Sequence, residues 1–340
     1  MEAYRQHAGK VIEADKHFKH VMALTLDPSA DNRRGLIRCI TSREGDVQVR
    51  GYIDRSTLHS VQGDSLENFV VGEQVLIKND REILQELGGE GLDYLGLEDP
   101  DIWRDPQTGL VHVYFTIPFI RREKAKQSRI HLGHAVGQDL DSLEMTMPAL
   151  LADAVKYENA RAKEVSIAPL NTRGLRYNLF ESHDKLMDED DTYSTVRVAI
   201  AEDMGKPWQF GETVFHPAER KIPWIAGHAS PGPLFSKSFL DVGQGKVLGI
   251  LNGREANTHE EEKTIYGMFS VGLFVYDYEH GRIEWVSPQP LIQDSDAQTI
   301  TFASHFTEIK PGEGILYAHV DDSFVRAYTL FSEGIRQLLP

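Results

Sequence analysis

The sequence of 340 residues has a single cysteine, Cys39, so it predicts no internal disulfide. It also has no apolar run close to the ~20 residues that a helix needs to cross a bilayer. The first residues, MEAYRQHAGK, lack the basic and then apolar segments of a signal peptide. We therefore expect a cytoplasmic protein that is not inserted in a membrane.

Positive charge is scarce, because 36 Lys and Arg residues stand against 52 Asp and Glu residues, for a formal net charge of -16. A field of this sign repels nucleic-acid backbones and anionic membrane surfaces. Low-complexity tracts are absent, and 41% of the residues are hydrophobic, which is enough to build a large core. The composition favours a globular protein with an uncharged ligand and excludes a disordered chain.

A repeated pattern of a polar, glycine-containing turn followed by an alternating or apolar run occurs five times. The turn glycines are Gly45, Gly109, Gly174, Gly245 and Gly314. They are spaced 64, 65, 71 and 69 residues apart, so they mark units of similar length along the whole chain. In each unit the glycine supplies the positive φ of a hairpin turn, and the following run has the β-branched and aromatic character of a strand.

These units predict an all-β, five-bladed β-propeller, since two hairpins per unit give the four strands of a blade. The rival is a β-sandwich, which has no reason to repeat at this spacing. Residues 2 to 20 are a helix candidate, and so are residues 149 to 163. We divide the chain into a short N-terminal helical arm, residues 1–22, and a catalytic propeller domain, residues 23–340. The arm either closes the ring or contacts a second subunit.

The segment GLEDPDIW, residues 96 to 103, places three acids directly before the second turn of the repeat. Asp99 and Pro100 suit the first positions of a type I turn, which is the structural interpretation. The apolar residues on both sides indicate partial burial instead, where an uncompensated carboxylate is costly. The inner strands of a propeller open at a ligand site, so we place Glu98 and Asp99 near the mouth of the channel.

GLEDPDIW followed by VYFT resembles a motif of glycoside hydrolase family 130, the β-mannoside phosphorylases and hydrolases, which are five-bladed propellers. Four further segments are similar to motifs of that family and occur in the same order. They are AKEVSIAPLNTRGLRYNLFE, GHASPGPLF, IYGMFSVGLFVYD and YAHVDDSFVRAYTL. The resemblance covers roughly residues 35 to 335 and implies an enzyme that cleaves β-mannosides or related short oligosaccharides.

The resemblance also implies roles for individual residues. Asp99 matches the aspartate that donates a proton to the glycosidic oxygen, through a sugar hydroxyl. Asp322 matches a sugar-binding aspartate, and Tyr266 matches a tyrosine of the site. Arg50 matches a sugar-contacting arginine of the first blade, although Arg38 competes for that role.

The departures from the family favour hydrolysis over phosphorolysis. Phosphorylases hold a phosphate dianion with a cationic cluster, of which Lys163 keeps one charge. The next cationic position is Glu181 here, and Asn252 stands where histidine is frequent. A glutamate would repel phosphate and could polarise water, as an inverting mechanism with two carboxyl groups requires. Asp99 is then the acid and Glu181 the base, with Glu164 as a second candidate for the base.

One histidine and one acidic run remain as candidates for ligand or metal binding. His228, in the small-residue loop IAGHASPGPLF, is a candidate sugar contact or a histidine bonded within its loop. The acidic run at residues 187–191 is typical of a solvated loop, so we expect no metal and no cofactor. The partners we expect are an oligosaccharide and, in the phosphorylase alternative, inorganic phosphate. The sequence allows a homo-oligomer but does not decide the oligomeric state. A propeller that only binds carbohydrate is the alternative outside the enzymes.

Overall fold

A computed structural model describes residues 2–13, 18–121, 128–152, 161–185, 192–261 and 263–340. Within them the chain is predominantly β, with 23 strands. The acidic run at residues 187–191 lies outside the described residues, and so do residues 153–160 of the second helix candidate. Helix is short in the part of the chain that the structure describes. The described helices are α1 (Asp80–Leu87), α2 (Pro217–Arg220) and α3 (Ser332–Arg336), with 3-10 turns at Pro28–Ala30 and Pro223–Ile225.

No helix among the described segments is long and apolar enough to span a membrane. The helical prediction for residues 2 to 20 is wrong, because β1 (Tyr4–Ile12) is a strand. It pairs antiparallel with the last strand of the chain, Phe324–Phe331. The local sequence favours neither helix nor strand strongly, so this long-range pairing decides that the segment is a strand.

The remaining strands form consecutive antiparallel groups along the chain. The first group consists of β2 (Val21–Leu26), β3 (Arg34–Glu44), β4 (Ile53–Gly63) and β5 (Phe69–Gln74). The second consists of β6 (Asp93–Tyr94) and β7 (Glu98–Arg104), which both pair with β8 (Val111–Ile120), followed by β9 (Ser128–Gly137) and β10 (Glu144–Met145).

The third group contains β11 (Lys163–Ser166), β12 (Arg176–Lys185), β13 (Thr192–Ala201) and β14 (Gln209–Phe215). The fourth contains β15 (His228–Leu234), β16 (Lys246–Arg254), β19 (Phe269–Asp277) and β20 (Arg282–Val286), with an inserted hairpin of β17 (Thr258–Glu260) and β18 (Lys263–Ile265). The fifth contains β21 (Thr301–Lys310), β22 (Glu313–Val320) and β23 (Phe324–Phe331), to which β1 adds the outer strand. A parallel bridge from Ser194 to His228 links the third and fourth groups.

We call β2, β7, β11, β15 and β21 the first strands of the five groups, and these strands form a closed circuit. β2 contacts β7, β7 contacts β11, β11 contacts β15, β15 contacts β21, and β21 contacts β2. A separate hydrophobic cluster fills each boundary between neighbouring groups. For example, Val113 and Phe115 of β8 pack with Leu36 and Leu58 of the first group. Because both faces of these sheets are covered, strands such as β8 are almost continuously apolar.

The turn glycines behave as predicted at four of the five positions. Gly45, Gly109, Gly174 and Gly245 all have positive φ. In the fifth turn the positive φ belongs to Gly312, while Gly314 lies within β22. Gly45 follows the second strand of its group, whereas the glycines of the next three groups follow the first strand. The first unit of the repeat is therefore out of phase with the others.

Candidate active site

An irregular strand presents an acid at the same place in two neighbouring groups. The pairing of β7 with β8 shifts register around Asp99, and the pairing of β11 with β12 shifts around Glu164. Both residues have a φ of 47°, which is uncommon for residues other than glycine. Such bulges re-aim side chains and are frequent beside functional sites. Here they bring the two carboxyl groups together.

Asp99 and Glu164 share a hydrogen bond in which neutral Glu164 donates to the carboxylate of Asp99. Burial raises the pKa of Glu164 well above its ordinary value, and the negative charge of Asp99 adds to this effect. Burial also acts to raise the pKa of Asp99, but the positive charges of Arg38 and Lys163 lower it below its ordinary value. The pair therefore holds one proton between two carboxyl groups, a state suited to general acid catalysis.

Arg38 fixes the acids of the GLEDP segment. Its Nη1 donates to Oδ1 of Asp99 at 2.8 Å, and its Nη2 donates to Oε1 of Glu98 at 2.6 Å. Its Nε donates to the hydroxyl of Ser56 at 3.2 Å. Arg38 is buried, and although burial acts to lower its pKa, the charges of Asp99 and Glu98 raise it. Of the two arginine candidates, Arg38 is the one that contacts the acids.

Glu98 lies beside this acid pair and titrates near neutrality. Burial raises its pKa to about 7, and the negative charge of Asp99 acts in the same direction. The positive charge of Arg38 opposes both effects. Glu98 thus adds a second titrating carboxyl group next to Asp99.

Glu181 is fully buried between two basic side chains. Its Oε1 lies 3.8 Å from Nζ of Lys163, and its Oε2 lies 3.0 Å from Nε2 of His228. Burial acts to raise the pKa of Glu181, but His228 and Lys163 outweigh burial and hold it well below its usual range. Lys163 also lies 4.0 Å from Oε1 of Glu164, so it connects this ion pair to the acids. Glu181 is therefore ionised beside the charge of Lys163, while burial lowers the pKa of its other neighbour, His228.

A cationic cluster surrounds Glu181, and the sequence interpretation missed most of it. Nη1 of Arg161 lies 3.0 Å from Nε2 of His183. Arg254 lies over the ring of Tyr266, at 4.1 Å from the ring centroid. Arg161 and Arg254 are both within electrostatic range of Glu181. Arg161 and His183 each lie two residues from a predicted site residue, which is the signal that could have identified them.

Asp322 has its own basic partners. Its Oδ1 lies 3.2 Å from Nε2 of His319, and its Oδ2 lies 4.0 Å from Nη2 of Arg43. Burial acts to raise the pKa of Asp322, but its hydrogen bond to His319 and the nearby arginines lower it. Arg38 is among those arginines, so Asp322 and Asp99 feel the same charge. The structure thus brings Asp99, Glu181 and Asp322 to one connected site.

Two predicted site residues, Arg50 and Tyr266, lie on loops. Arg50 follows β3, and Tyr266 follows β18. Both are within electrostatic range of Arg161. Tyr52, on the same loop as Arg50, is half-buried, and its partial burial and the negative charge of Asp322 raise its pKa. Arg50 therefore belongs to the side of the cationic cluster rather than to the side of the acids.

Asn252 does not face the cluster. Its Oδ1 accepts a hydrogen bond from the backbone N–H of Ala303 at 2.8 Å, and its Nδ2 donates to the carbonyl of Ala303 at 3.0 Å. It therefore ties the fourth group to the fifth. The described residues include no group of three or more His, Cys, Asp or Glu side chains that could hold a metal ion.

Comparison with solved structures gives matches over nearly the whole chain. A beta-1,2-mannobiose phosphorylase from Listeria innocua matches with a TM-score of 0.68 at 12% identity, covering 99% of each chain. A glycosyl hydrolase from Bacteroides ovatus matches with a TM-score of 0.66 at 15% identity, covering 98% of this chain and 94% of that one. A mannose phosphorylase from Leishmania mexicana matches with a TM-score of 0.54 at 14% identity, covering 96% and 89%.

No protein-family model matches the sequence, and no curated protein does. At these identities the structural matches show a shared fold.

Proposed function

We propose that this protein is a carbohydrate-active enzyme that breaks glycosidic bonds, with Asp99 and Glu164 as the reacting acid pair. The observation that carries the proposal is the hydrogen bond between these two carboxyl groups, in which the pKa of Asp99 is lowered and that of Glu164 is raised. Burial and a neighbouring charge separate their pKa values, as acid catalysis near neutral pH requires. Because Glu164 must keep its proton, activity should fall as the pH rises through its raised pKa.

The fold that we propose is a five-bladed β-propeller. The closed circuit of first strands and the hydrophobic clusters between neighbouring groups support it. In this arrangement the acids lie at one mouth of the ring, with Asp99 on the second blade and Glu164 on the third. Asp322, on the fifth blade, faces them and is the proposed sugar contact.

The reaction begins with a proton from the acid pair to the glycosidic oxygen. As that C–O bond breaks, an acceptor forms a new bond to the anomeric carbon, and the leaving sugar keeps the proton. An inverting hydrolase needs a second carboxylate about 6.5 to 9.5 Å from the acid, to activate water between them. Asp99 and Glu164 touch each other, so this base would have to be Glu181.

Phosphate is the acceptor that the geometry supports best. Glu181 is buried, and its two oxygens lie beside Lys163 and His228. The cations Arg161, Lys163 and Arg254 exceed the single charge of Glu181, and this surplus suits a phosphate dianion. The sequence analysis expected Glu181 to repel phosphate, but these positive charges offset that repulsion.

Hydrolysis is the second candidate. Among the described residues, neither carboxylate oxygen of Glu181 accepts a hydrogen bond of good geometry. An oxygen in that state is available to a water molecule once substrate is bound. We retain β-mannosides or related short oligosaccharides as the substrate class, because the sequence motifs resemble that family and two of the matched structures are named as mannobiose and mannose phosphorylases.

The test is a panel of short β-mannosides, β-glucosides and β-galactosides, each incubated with and without inorganic phosphate. We expect phosphate-dependent release of a sugar 1-phosphate from a β-mannoside, and release of free sugar without phosphate would establish hydrolysis instead. Glu164→Gln should reduce kcat by roughly 10²- to 10⁴-fold, the usual contribution of a general acid. Asp101→Asn, in the same strand as Asp99, is the matched control and should retain activity.

Failure of every sugar to react would defeat the enzyme proposal. Binding of a sugar by wild type and Glu164→Gln alike, without turnover, would favour a carbohydrate-binding protein. Full activity in Glu164→Gln would remove Glu164 from the reacting pair.

A further inference from the structure

His319 is a buried histidine of the fifth group that the proposed chemistry does not use. It lies in β22 opposite Phe302 of β21, and the two rings stack with their centroids 5.1 Å apart and their planes at 15°. It is 6% exposed and lies three residues before Asp322, the acid that we propose as the sugar contact. The stacking fixes the plane of this imidazole ring.

Two contacts on opposite edges of the ring determine the tautomer of His319. The backbone N–H of Ala23 donates to Nδ1 of His319 at 3.4 Å. A backbone N–H can only donate, so Nδ1 carries no proton. The proton of the neutral ring then belongs to Nε2, which lies 3.2 Å from Oδ1 of Asp322. The main chain of β2 therefore sets His319 as a donor to Asp322.

The turn between β22 and β23 contains two consecutive acids with different partners. Asp321 and Asp322 both have positive φ, of 50° and 49°. Oδ1 of Asp321 accepts hydrogen bonds from the backbone N–H groups of Thr299 and Ile300, at 2.8 and 3.0 Å. Asp321 thus ties the turn to the residues before β21. Asp322 is the acid of the turn that contacts His319.

The two oxygens of Asp322 are not equivalent. Oδ1 accepts from His319, whereas Oδ2 lies 4.0 Å from Nη2 of Arg43, which is beyond hydrogen-bond distance. Arg43 is itself held by Asp54, to which its Nε and Nη2 donate at 2.7 Å. Burial acts to raise the pKa of Asp322, but the hydrogen bond from His319 and the nearby arginines lower it. Oδ2 is therefore a charged acceptor that can bind a sugar hydroxyl.

We infer that His319 is a positioning residue for the substrate, because it holds Oδ1 of Asp322 and thereby directs Oδ2 to a hydroxyl group of the sugar. This inference rests on the proposed function, in which Asp322 contacts the sugar. A carboxylate rotates over a broad range about its terminal bond, so one hydrogen bond selects its orientation. Without that donor the carboxylate turns toward Arg43, and the sugar loses its acceptor.

Two substitutions separate the two edges of the ring. In His319→Gln the amide reaches as far as Nε2 did and donates to Asp322. In His319→Asn the shorter amide takes the place of Nδ1 and faces Ala23 alone. We expect His319→Gln to keep the KM of wild type and His319→Asn to raise KM at least about tenfold, the usual effect of losing a hydrogen bond to a charged group. The kcat of both should stay within about twofold, since Asp322 binds the sugar but transfers no proton.

His305→Asn is the matched control in the same group. Nε2 of His305 lies 3.1 Å from the hydroxyl of Thr307, and its ring stacks on Tyr317. These contacts connect β21 to itself and to β22, so their loss should leave the KM of wild type unchanged. Urea unfolding of each variant shows whether it is folded.

A double-mutant cycle with Asp322→Asn tests whether His319 acts through Asp322. In that background His319→Asn should raise KM no further. Additive increases would overturn the inference. So would an unchanged KM in His319→Asn, or a loss in His319→Gln as large as that in His319→Asn.

A measurement on wild type tests the tautomer without turnover. Nitrogen NMR spectra distinguish the tautomers by the chemical shifts of the two ring nitrogens. The spectrum of His319→Gln identifies the signals of His319 among those of the 14 histidines. We expect the proton on Nε2. A proton on Nδ1, or on both nitrogens, at neutral pH would contradict the inference.

The proposed function can fail while this inference stands. If wild type cleaves no sugar, calorimetry with mannose, glucose and galactose replaces the measurement of KM. His319→Asn should then weaken binding of the sugar that wild type binds by about tenfold, and His319→Gln should not. Equal binding by His319→Asn and wild type, or no binding by wild type, would reject the inference as well.

Discussion

Asp99 and Glu164 have the same backbone conformation in neighbouring strands but opposite protonation. The difference comes from their neighbours, because Arg38 donates to Asp99 at 2.8 Å, whereas Glu164 faces the negative charge of Asp99. Burial acts to raise the pKa of both. Arg38, together with the charge of Lys163, thus decides which of the two acids keeps the proton.

Asp101 is a half-buried acid that the proposed chemistry does not use. The sequence suggests a charge at a turn or a strand edge, but Asp101 lies inside β7 opposite Tyr114. Burial raises its pKa to about 7, although a hydrogen bond from the backbone of Ile102 acts in the opposite direction. The free energy by which Asp101 destabilises the folded state therefore depends on pH.

We predict that Asp101→Asn increases the free energy of unfolding at pH 8. The folded-state pKa is raised, so the folded protein binds more protons than the unfolded chain between about pH 4 and 7, and wild type loses stability as the pH rises. The variant lacks this loss and should gain about 2 to 4 kcal/mol at pH 8, and little at pH 4. Urea unfolding of both proteins at the two pH values measures it, and a gain independent of pH would contradict the titration.

At the scale of the element, the bulge in the first strand recurs beyond the two acids. β2 shifts register between Met22 and Thr25, and Ala23 within this bulge has a φ of 53°. Its backbone N–H points to Nδ1 of His319 at 3.4 Å, which leaves Nε2 of His319 as the donor to Asp322. The bulge thus occurs in three neighbouring groups, with an alanine at its positive-φ position in the first group and an acid in the other two.

We predict that Ala23→Gly changes the free energy of unfolding by less than about 0.5 kcal/mol, since relief of the left-handed conformation offsets the lost methyl group. The matched control is Ala303→Gly in β21, where Ala303 is equally buried and its φ is not positive. That change should cost about 1 to 2 kcal/mol, because nothing offsets it. Equal losses in urea unfolding would show that the bulge of β2 carries no backbone strain.

At the scale of the molecule, the two ends of the chain meet in one sheet. β1 pairs with β23, with Tyr4 opposite Leu330 and Ile12 opposite Val325. The fifth group therefore contains its outer strand from the N-terminus and its other three strands from the C-terminus. This pairing covers an edge that would otherwise expose unpaired backbone groups.

We predict that deletion of residues 1–12 lowers the free energy of unfolding by about 3 to 6 kcal/mol, since it removes two buried side chains, Val11 and Ile12. It should also promote association through the exposed edge of β23. Urea unfolding and size-exclusion chromatography measure the two effects.

Ala8→Ser, on the exposed part of the same strand, is the control and should change the free energy of unfolding by no more than about 0.5 kcal/mol. A truncated protein with the stability of wild type would show that β1 does not hold the fifth group.

The sequence by itself determined the β class, the recurring hairpins and the position of Asp99 at the head of a strand, because turns and strands leave local patterns over a few residues. It could not decide between Arg38 and Arg50, since Arg38 meets Asp99 across 61 residues of chain. It also could not show that residues 4–12 pair as a strand, or that Arg161, His183 and Arg254 come within electrostatic range of Glu181. Those outcomes, and the proton held by Glu164, depend on burial and on charges that only the folded chain brings together.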